Sequence, residues 1–308
     1  MKNIKIFLPI ILIILSIFLV ACNNKQYGTN VDTNKTLKAF QSIGYTDREI
    51  ELINQYLSKS DINYLLDYGY VENISEYIGY NIFDINNLSR YIDYKNKFNE
   101  LDFYHTILYV NMNLDKNFYE VVNTASNPDD ILVLVNKYNK LPDDYEPSDL
   151  VLVDKRCSIK DNIYLRKEAN DNFYKMCINM LSLNLDMKAI SGYRSYEYQV
   201  KLHNSYIETD GEEKAIKYSA KPRYSEHETG LVVDVMGNNK NYIKFGETDE
   251  YKYILKHASD YGFIIRYENE FVTGYINEPW HLRYVGREVA EKLKKENITF
   301  DEYIYLNS

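Results

Sequence analysis

The sequence predicts an α+β protein, and three observations carry that prediction. Apolar residues recur at helical spacing from Thr36 to about Ser126, in stretches such as Ile50 to Leu57 and Ile85 to Ile92. Beyond Asn127-Pro128 short β-rich runs alternate with amphipathic stretches. Those strands and helices do not follow a regular βαβ order, which disfavours a doubly wound sheet.

The first segment is a leader. Lys2 and Lys5 precede an almost wholly apolar run, Ile6 to Ala21, that ends in Leu19-Val20-Ala21-Cys22. Basic, then apolar, then small residues is the order of an export signal. The end of the run resembles the lipobox of bacterial lipoproteins, with cleavage before Cys22 and lipid on its thiol. An uncleaved anchor is the alternative, although a span wants about 20 apolar residues. Either way the rest of the chain is expected outside the cytoplasmic membrane, on its extracellular face. Residues 1–21 are read as signal peptide and 22–35, polar and without periodicity, as a flexible tether.

Residues 36–126 read as several short helices joined by tight turns after Gly44, Gly69 and Gly79, with Asp47, Asp61 and Asn73 as helix caps. The many tyrosines there read as half-buried packing. Residues 127–308 form the second region. Ile131 to Leu141 starts as a β-rich run, and Pro142 and Pro147 break regular structure. Asp171 to Leu183 reads as a helix, Met187 to Ser195 as a strand entering a turn, and Gly230 to Val235 as a buried strand. Tyr251 to Phe263 reads as a helix stopped at Gly262. Phe271 to Ile276 and His281 to Val285 read as strands, and Gly286 to Ile298 as a terminal helix.

The formal net charge is −9, and loss of Lys2 and Lys5 takes it to −11. An acidic chain without a basic cluster is not built to hold polyanions, so nucleic acid is excluded as a partner. Of the three cysteines, Cys157 and Cys177 are left to pair or to pack as buried thiols. No CxxC or Cys/His cluster suggests a thiolate metal site.

Two of the five histidines stand in unusual company. His227 lies seven residues before Asp234, and Asp234 interrupts an apolar strand, where a carboxylate needs a partner or a cation. His281 follows Glu278 by three residues, with Pro279 between them, so this is not a helical zinc motif. Two imidazoles and a carboxylate make a catalytic zinc set with a fourth position for water, and Glu278 is the spare carboxylate. The alternative pairs Asp234 with Arg194 or Arg283. His203 and His257 read as surface and structural residues, His105 shows no partner, and Tyr267 and Tyr275 are weak candidates for substrate contact.

Four segments, Ser191 to Gln199, Ser225 to Asp234, Tyr261 to Tyr267 and Thr273 to Gly286, resemble the VanY-type D-alanyl-D-alanine carboxypeptidases in order and spacing. Val135 to Val151 resembles the segment that leads into the same family's domain. The resemblance covers about residues 130 to 290 and implies a small antiparallel sheet flanked by helices, a fold shared with D-Ala-D-Ala dipeptidases and the hedgehog signalling domain. It implies one Zn²⁺ held by His227, Asp234 and His281, with Glu278 as general base then acid. It implies Arg194 over the site as oxyanion partner, and Gln199, Ser225 and Trp280 along the peptide cleft. The chain departs from the family at Arg223, where relatives usually carry Gly after the Pro, and at Val232-Val233, where small residues are frequent.

The expected function is a zinc metallo-carboxypeptidase, lipid-anchored at Cys22, that trims D-Ala from peptidoglycan stem peptides. LD-carboxypeptidase, D-Ala-D-Ala dipeptidase and a non-catalytic peptidoglycan-binding lipoprotein stay open as alternatives.

Overall fold

The computed structural model describes residues 33–308; the leader, Cys22 and the tether up to residue 32 lie outside them. Among the described residues no helix is long and apolar enough to cross a membrane. The chain forms two compact units, one ending at Ser75 and one running from Glu76 to Ser308.

The first unit holds α1 (Thr33–Ile43), α2 (Asp47–Tyr56) and α3 (Lys59–Tyr68), so Thr33 to Lys35 are helical rather than tether. Thr46 and Glu49 cap α2 reciprocally, and Ser58 and Asp61 cap α3. The sequence reading gave those caps to Asp47 and Asp61. A hydroxyl followed three residues later by a carboxylate satisfies two free backbone donors at once, which a lone Asp does not. Asn73 precedes α4 (Ile74–Ile78) with φ 58°, a left-handed conformation that Asn tolerates.

The second unit begins well before residue 127, and the packing shows why. Tyr77, Tyr91 and Tyr94, the last two on α5 (Leu88–Lys97), are buried in one cluster with Ile107 of α6 (Phe103–Asn111) and with Val272. Phe98 and Tyr109 also meet the ring of Phe271 at 5.3 and 5.6 Å. Residues 76–111 therefore share a core with residues 271–272. Of the tyrosines expected to pack, Tyr45, Tyr77, Tyr91, Tyr94 and Tyr109 are buried, whereas Tyr56, Tyr64, Tyr68, Tyr70 and Tyr80 are exposed.

Short strands come next. β1 (Asn123–Thr124) pairs in parallel with β2 (Asn139–Lys140), and β3 (Leu150–Leu152) pairs antiparallel with β4 (Tyr164–Arg166). The β-rich run from Ile131 thus yields only two residues of strand. Its apolar side chains Val133, Val135 and Leu141 enter the core, while the carbonyls of Ile131 and Val133 accept from Arg283 Nη2 at 2.9 and 2.8 Å. α7 (Lys167–Ser182) follows, tied to the preceding segment by a Cys157–Cys177 disulfide.

The central sheet has the antiparallel order β5 (Lys188–Ser191), β6 (Val232–Met236), β8 (His281–Tyr284), β7 (Phe263–Ile265). Between its strands lie α8 (Tyr196–Asp210), α9 (Glu212–Ala215), α10 (Asp249–His257) and α11 (Glu270–Thr273). The expected strand at Phe271 to Ile276 is α11 and a turn instead. Asn269 accepts from the N–H groups of Phe271 and Val272 to start that helix, and Gly274 ends it at φ 70°. α12 (Arg287–Glu296) and α13 (Phe300–Leu306) close the unit.

Strand alternation decides where the chemistry sits. Val233, Val235, Leu282 and Tyr284 point to the core shared with Phe173, Met176 and Met180 of α7. Asp234, His281 and Arg283 alternate with them and occupy the other face. Ser191, Asp234 and His281 are register partners across three neighbouring strands. One period-2 pattern thus builds a dry core on one side and a row of polar groups on the other.

Candidate metal centre

Asp234 and His281 face each other directly on β6 and β8, with Asp234 Oδ1 3.2 Å from His281 Nδ1. His227 arrives from a short 3₁₀ turn, Glu226–Thr229, and places Nε2 3.2 Å from Asp234 Oδ2. That turn ends on Gly230 at φ 69°, where a Cβ would lie 2.9 Å from Arg166 and Leu150. The three side chains are buried and offer ligand atoms within 4.8 Å of one another.

The hydrogen bonds on the far side of each ring fix its tautomer. His227 Nδ1 donates to the Gly192 carbonyl at 2.7 Å, leaving the Nε2 lone pair aimed at Asp234. His281 Nε2 lies 3.3 Å from Glu226 Oε2, which turns Nδ1 toward Asp234. Lone pairs on nitrogen and carboxylate oxygen 3.2 Å apart repel unless a proton or a cation lies between them. Ligands about 2.0–2.1 Å from one tetrahedral ion stand about 3.3 Å apart, so the set fits a metal. Imidazoles braced by a carboxylate and a carbonyl are the usual outer shell of such a site.

The electrostatics agree. Burial, helped by Arg194, lowers the pKa of His227. Burial would raise Asp234, but His227, His281 and Arg194 together hold it well below the usual carboxylate range. Burial opposes protonation of His281, yet its bonds to Asp234 and Glu226 push it up to about 9. Without a metal, a proton on His281 takes the place of the cation.

Glu278 and His281 are the ends of a turn in which His281 N–H donates to the Glu278 carbonyl at 3.0 Å. Pro279 fits the second turn position, which explains the Glu-Pro-Trp-His spacing. Glu278 is 8% exposed, and its Oε2 lies 3.6 Å from His281 Nδ1. Burial first, then Asp234 and Glu226, push its carboxyl up to about 7 against the pull of His281 and Arg194.

Arg194 Nη2 donates to Asp234 Oδ2 at 2.8 Å and its Nε to Ser191 Oγ at 3.1 Å, so the pairing weighed as an alternative exists alongside the ligand cluster. Arg283 does not touch Asp234. Its Nη1 lies 3.0 Å from Glu226 Oε1, and Arg266 Nε lies 2.9 Å from the same oxygen. Arg266 also holds Asp301 of α13 at 2.6 Å.

The site opens into a cleft of about 520 Å³ whose lining includes Arg194, Gln199, Ser225, Glu278 and Trp280. Gln199 Nε2 donates to the Ala220 carbonyl at 2.8 Å, and the Trp280 ring stands edge-on to Tyr242. Tyr267 lies between His281 and Tyr275, its ring tilted by 40° and 42° to theirs, and both tyrosines also line the cleft. His203 departs from its expected surface role. It is 4% exposed on α8 with Nδ1 3.2 Å from Ser219 Oγ, because α8 turns that side inward beneath the segment carrying Ser219. His257 and His105 pair locally with Asp260 and Asp102. Arg223, at the departure from the family pattern, adopts φ 72°. Its N–H donates to Glu228 at 2.7 Å, and its guanidinium lies over the Tyr196 ring, so these contacts hold a conformation that Gly adopts freely.

Sequence reasoning missed Glu226, which lies beside His227 in a polar run and looks solvated. Arg266 and Arg283 stand in apolar strand segments and demand a buried anion, which was the available signal.

The class this site defines is that of a peptide hydrolase, and comparison with known proteins agrees. Residues 162–287 match the family model VanY, D-alanyl-D-alanine carboxypeptidase. The putative carboxypeptidase YodJ of Bacillus subtilis (strain 168) is 41% identical over 58% of this chain and 69% of its own. The LdcB LD-carboxypeptidase, solved for the basis of peptidoglycan recognition, is 39% identical with a TM-score of 0.57, covering 61% of this chain and 92% of LdcB. The D,D-dipeptidase VanXYg, solved with a D-Ala-D-Ala phosphinate analog, is 32% identical with a TM-score of 0.51, covering 57% and 71%. The chain belongs to the VanY family of carboxypeptidases.

Proposed function

We propose that this protein is a zinc-dependent D-alanyl-D-alanine carboxypeptidase that removes the C-terminal D-Ala from peptidoglycan stem peptides. The observation that carries the reading is the convergence of His227, Asp234 and His281 beside a buried carboxylate, Glu278, whose Oε2 lies 3.6 Å from His281 Nδ1. The three residues would hold one zinc ion, which supplies Lewis acidity to the scissile carbonyl and lowers the pKa of a water to about 7.

The chain's own groups do the rest. Glu278, poised near neutrality, takes the proton of the water that attacks the carbonyl carbon. Arg194 donates to the developing oxyanion, a contact worth about 3 kcal/mol. As the C–N bond breaks, the Glu278 carboxyl returns its proton to the leaving amine. Gln199, Ser225 and Trp280 line the cleft and orient the peptide. Purified zinc-loaded protein is expected to release D-Ala from a pentapeptide, and absence of release would reject the reading.

A second reading is favoured by the likeness to LdcB and VanXYg: the bond cut is the L,D bond of a tetrapeptide or that of free D-Ala-D-Ala. Side-by-side hydrolysis of penta-, tetra- and dipeptide decides among the three.

Cys22 is proposed to carry lipid, holding the catalytic unit at the extracellular face of the cytoplasmic membrane. The order of Lys2, Lys5, the apolar run and Leu19-Val20-Ala21-Cys22 supports this. Metabolic labelling with a fatty acid should mark the wild type; label retained in Cys22→Ser would refute it.

A further inference from the structure

We infer that Lys160 is a specificity residue, a cationic contact for a carboxylate that the peptide carries outside its scissile pair; this rests on the peptidase reading of the cleft. The carboxylates lining the cleft, Glu226, Asp234 and Glu278, all belong to the metal end. Of the cationic side chains there, Arg194 is engaged with Asp234, and Lys160 is the other lysine or arginine among the lining residues.

The ammonium of Lys160 makes no ion pair or hydrogen bond among the described residues, and neighbouring Asp161 does not neutralise it. Some lysines of this unit are paired, Lys140 with Asp143, Lys167 with Asp171 and Lys188 with Asp186; what sets Lys160 apart is that it lines the cleft. The free charge is mounted on a fixed backbone. Ser158 Oγ donates to the Lys160 carbonyl at 2.7 Å and accepts from its N–H at 3.2 Å. Ile159 N–H donates to the Ala189 carbonyl of β5 at 3.1 Å, and Cys157, three residues ahead of Lys160, is bonded to Cys177 of α7. β5 also carries Ser191, which holds Arg194. One edge strand thus braces both cations, one committed at the metal end and one left for a ligand. An unpaired cation on a fixed wall has little side-chain neighbour to leave when an anion binds, and a charge at such a rim selects among substrates and makes binding sensitive to salt.

The test uses zinc-loaded protein in the Glu278→Gln background, so that affinity is read without turnover. The probes are three synthetic peptides ending in D-Ala-D-Ala whose preceding residue is a diamino dicarboxylic acid, its side-chain amide, or lysine. Calorimetry is expected to give the acid about two- to fivefold tighter binding than the amide. The ratio should fall to about one in Lys160→Gln and below one in Lys160→Glu, and it should shrink at high salt in the parent. An unchanged ratio in Lys160→Gln, equal affinities in the parent, or equal weakening of all three peptides would each overturn the inference. If wild type hydrolyses the peptides without any such preference, the inference fails and the peptidase reading stands. If no peptide is bound or cut, both fail.

Discussion

Glu226 Oε2 and His281 Nε2 lie 3.3 Å apart, joining a buried carboxylate to the back of the ring that faces Asp234. The other oxygen of Glu226 takes Arg266 and Arg283, both wholly buried. Glu226→Gln removes the anion that orients His281 and leaves two guanidinium groups undercompensated. Metal affinity should fall about 10–100-fold and stability by about 3–5 kcal/mol. Chelator competition and thermal melting read the two losses. Loss of neither would show that Glu226 is a bystander.

Metal uptake should depend on pH through His281. Its pKa is about 9 in the metal-free site, and a ligand nitrogen must be unprotonated to bind. Below pH 9 each ion therefore displaces a proton, so apparent affinity should rise about tenfold per pH unit and level off above about 9. Competition titrations between pH 6 and 10 check this. A flat profile over that range would mean that His281 is neutral before the ion arrives.

Gly192 should tolerate no side chain. A Cβ there would stand 2.4 Å from the Tyr164 carbonyl, and the Gly192 carbonyl is the group that orients His227. Gly192→Ala has to push the turn after β5 away from Ile163 to Leu165, at about 1–3 kcal/mol, and drag the brace of His227 with it. Melting temperature and metal affinity should fall together. A variant that loses stability but keeps wild-type affinity would separate the two roles.

Truncation should discriminate between two boundaries. Removal through Ser75 leaves the second unit whole, and it should fold and hold metal. Removal through Ser126 strips the helices that bury Val272, at about 1.5–3 kcal/mol for each large apolar side chain left exposed. That shorter form should melt much lower or aggregate. Equal melting of both forms would show that residues 76–126 contribute nothing to the catalytic unit.

The cluster of His227, Asp234 and His281 was legible in the sequence because Asp234 breaks an apolar strand and Glu278 and His281 bracket a turn-forming Pro. The strands around Asp234 and His281 and the helices α7, α10 and α12 were legible for the same reason, that burial leaves a period. What escaped depends on distant partners. Glu226 finds its arginines 40 and 57 residues away. The run at Ile131 looks like a strand because its side chains are buried, yet its carbonyls serve Arg283. The helix at Glu270 is made by the side chain of Asn269 and by Gly274, whose local signals the β-branched and aromatic residues between them masked. The compact unit that holds the site begins at Glu76 rather than at residue 127, and tyrosine-rich helices carry no mark in the sequence of which core they join.

In the proposed site His227, Asp234 and His281 hold one zinc ion for which Glu278 moves the proton. Zinc content and D-Ala release from a pentapeptide, measured side by side in wild type and Glu278→Gln, put this arrangement to the test. Both proteins should carry one zinc per chain, with release lowered about 10³-fold in the variant. Full release by Glu278→Gln, or release that survives removal of the metal, would contradict the account.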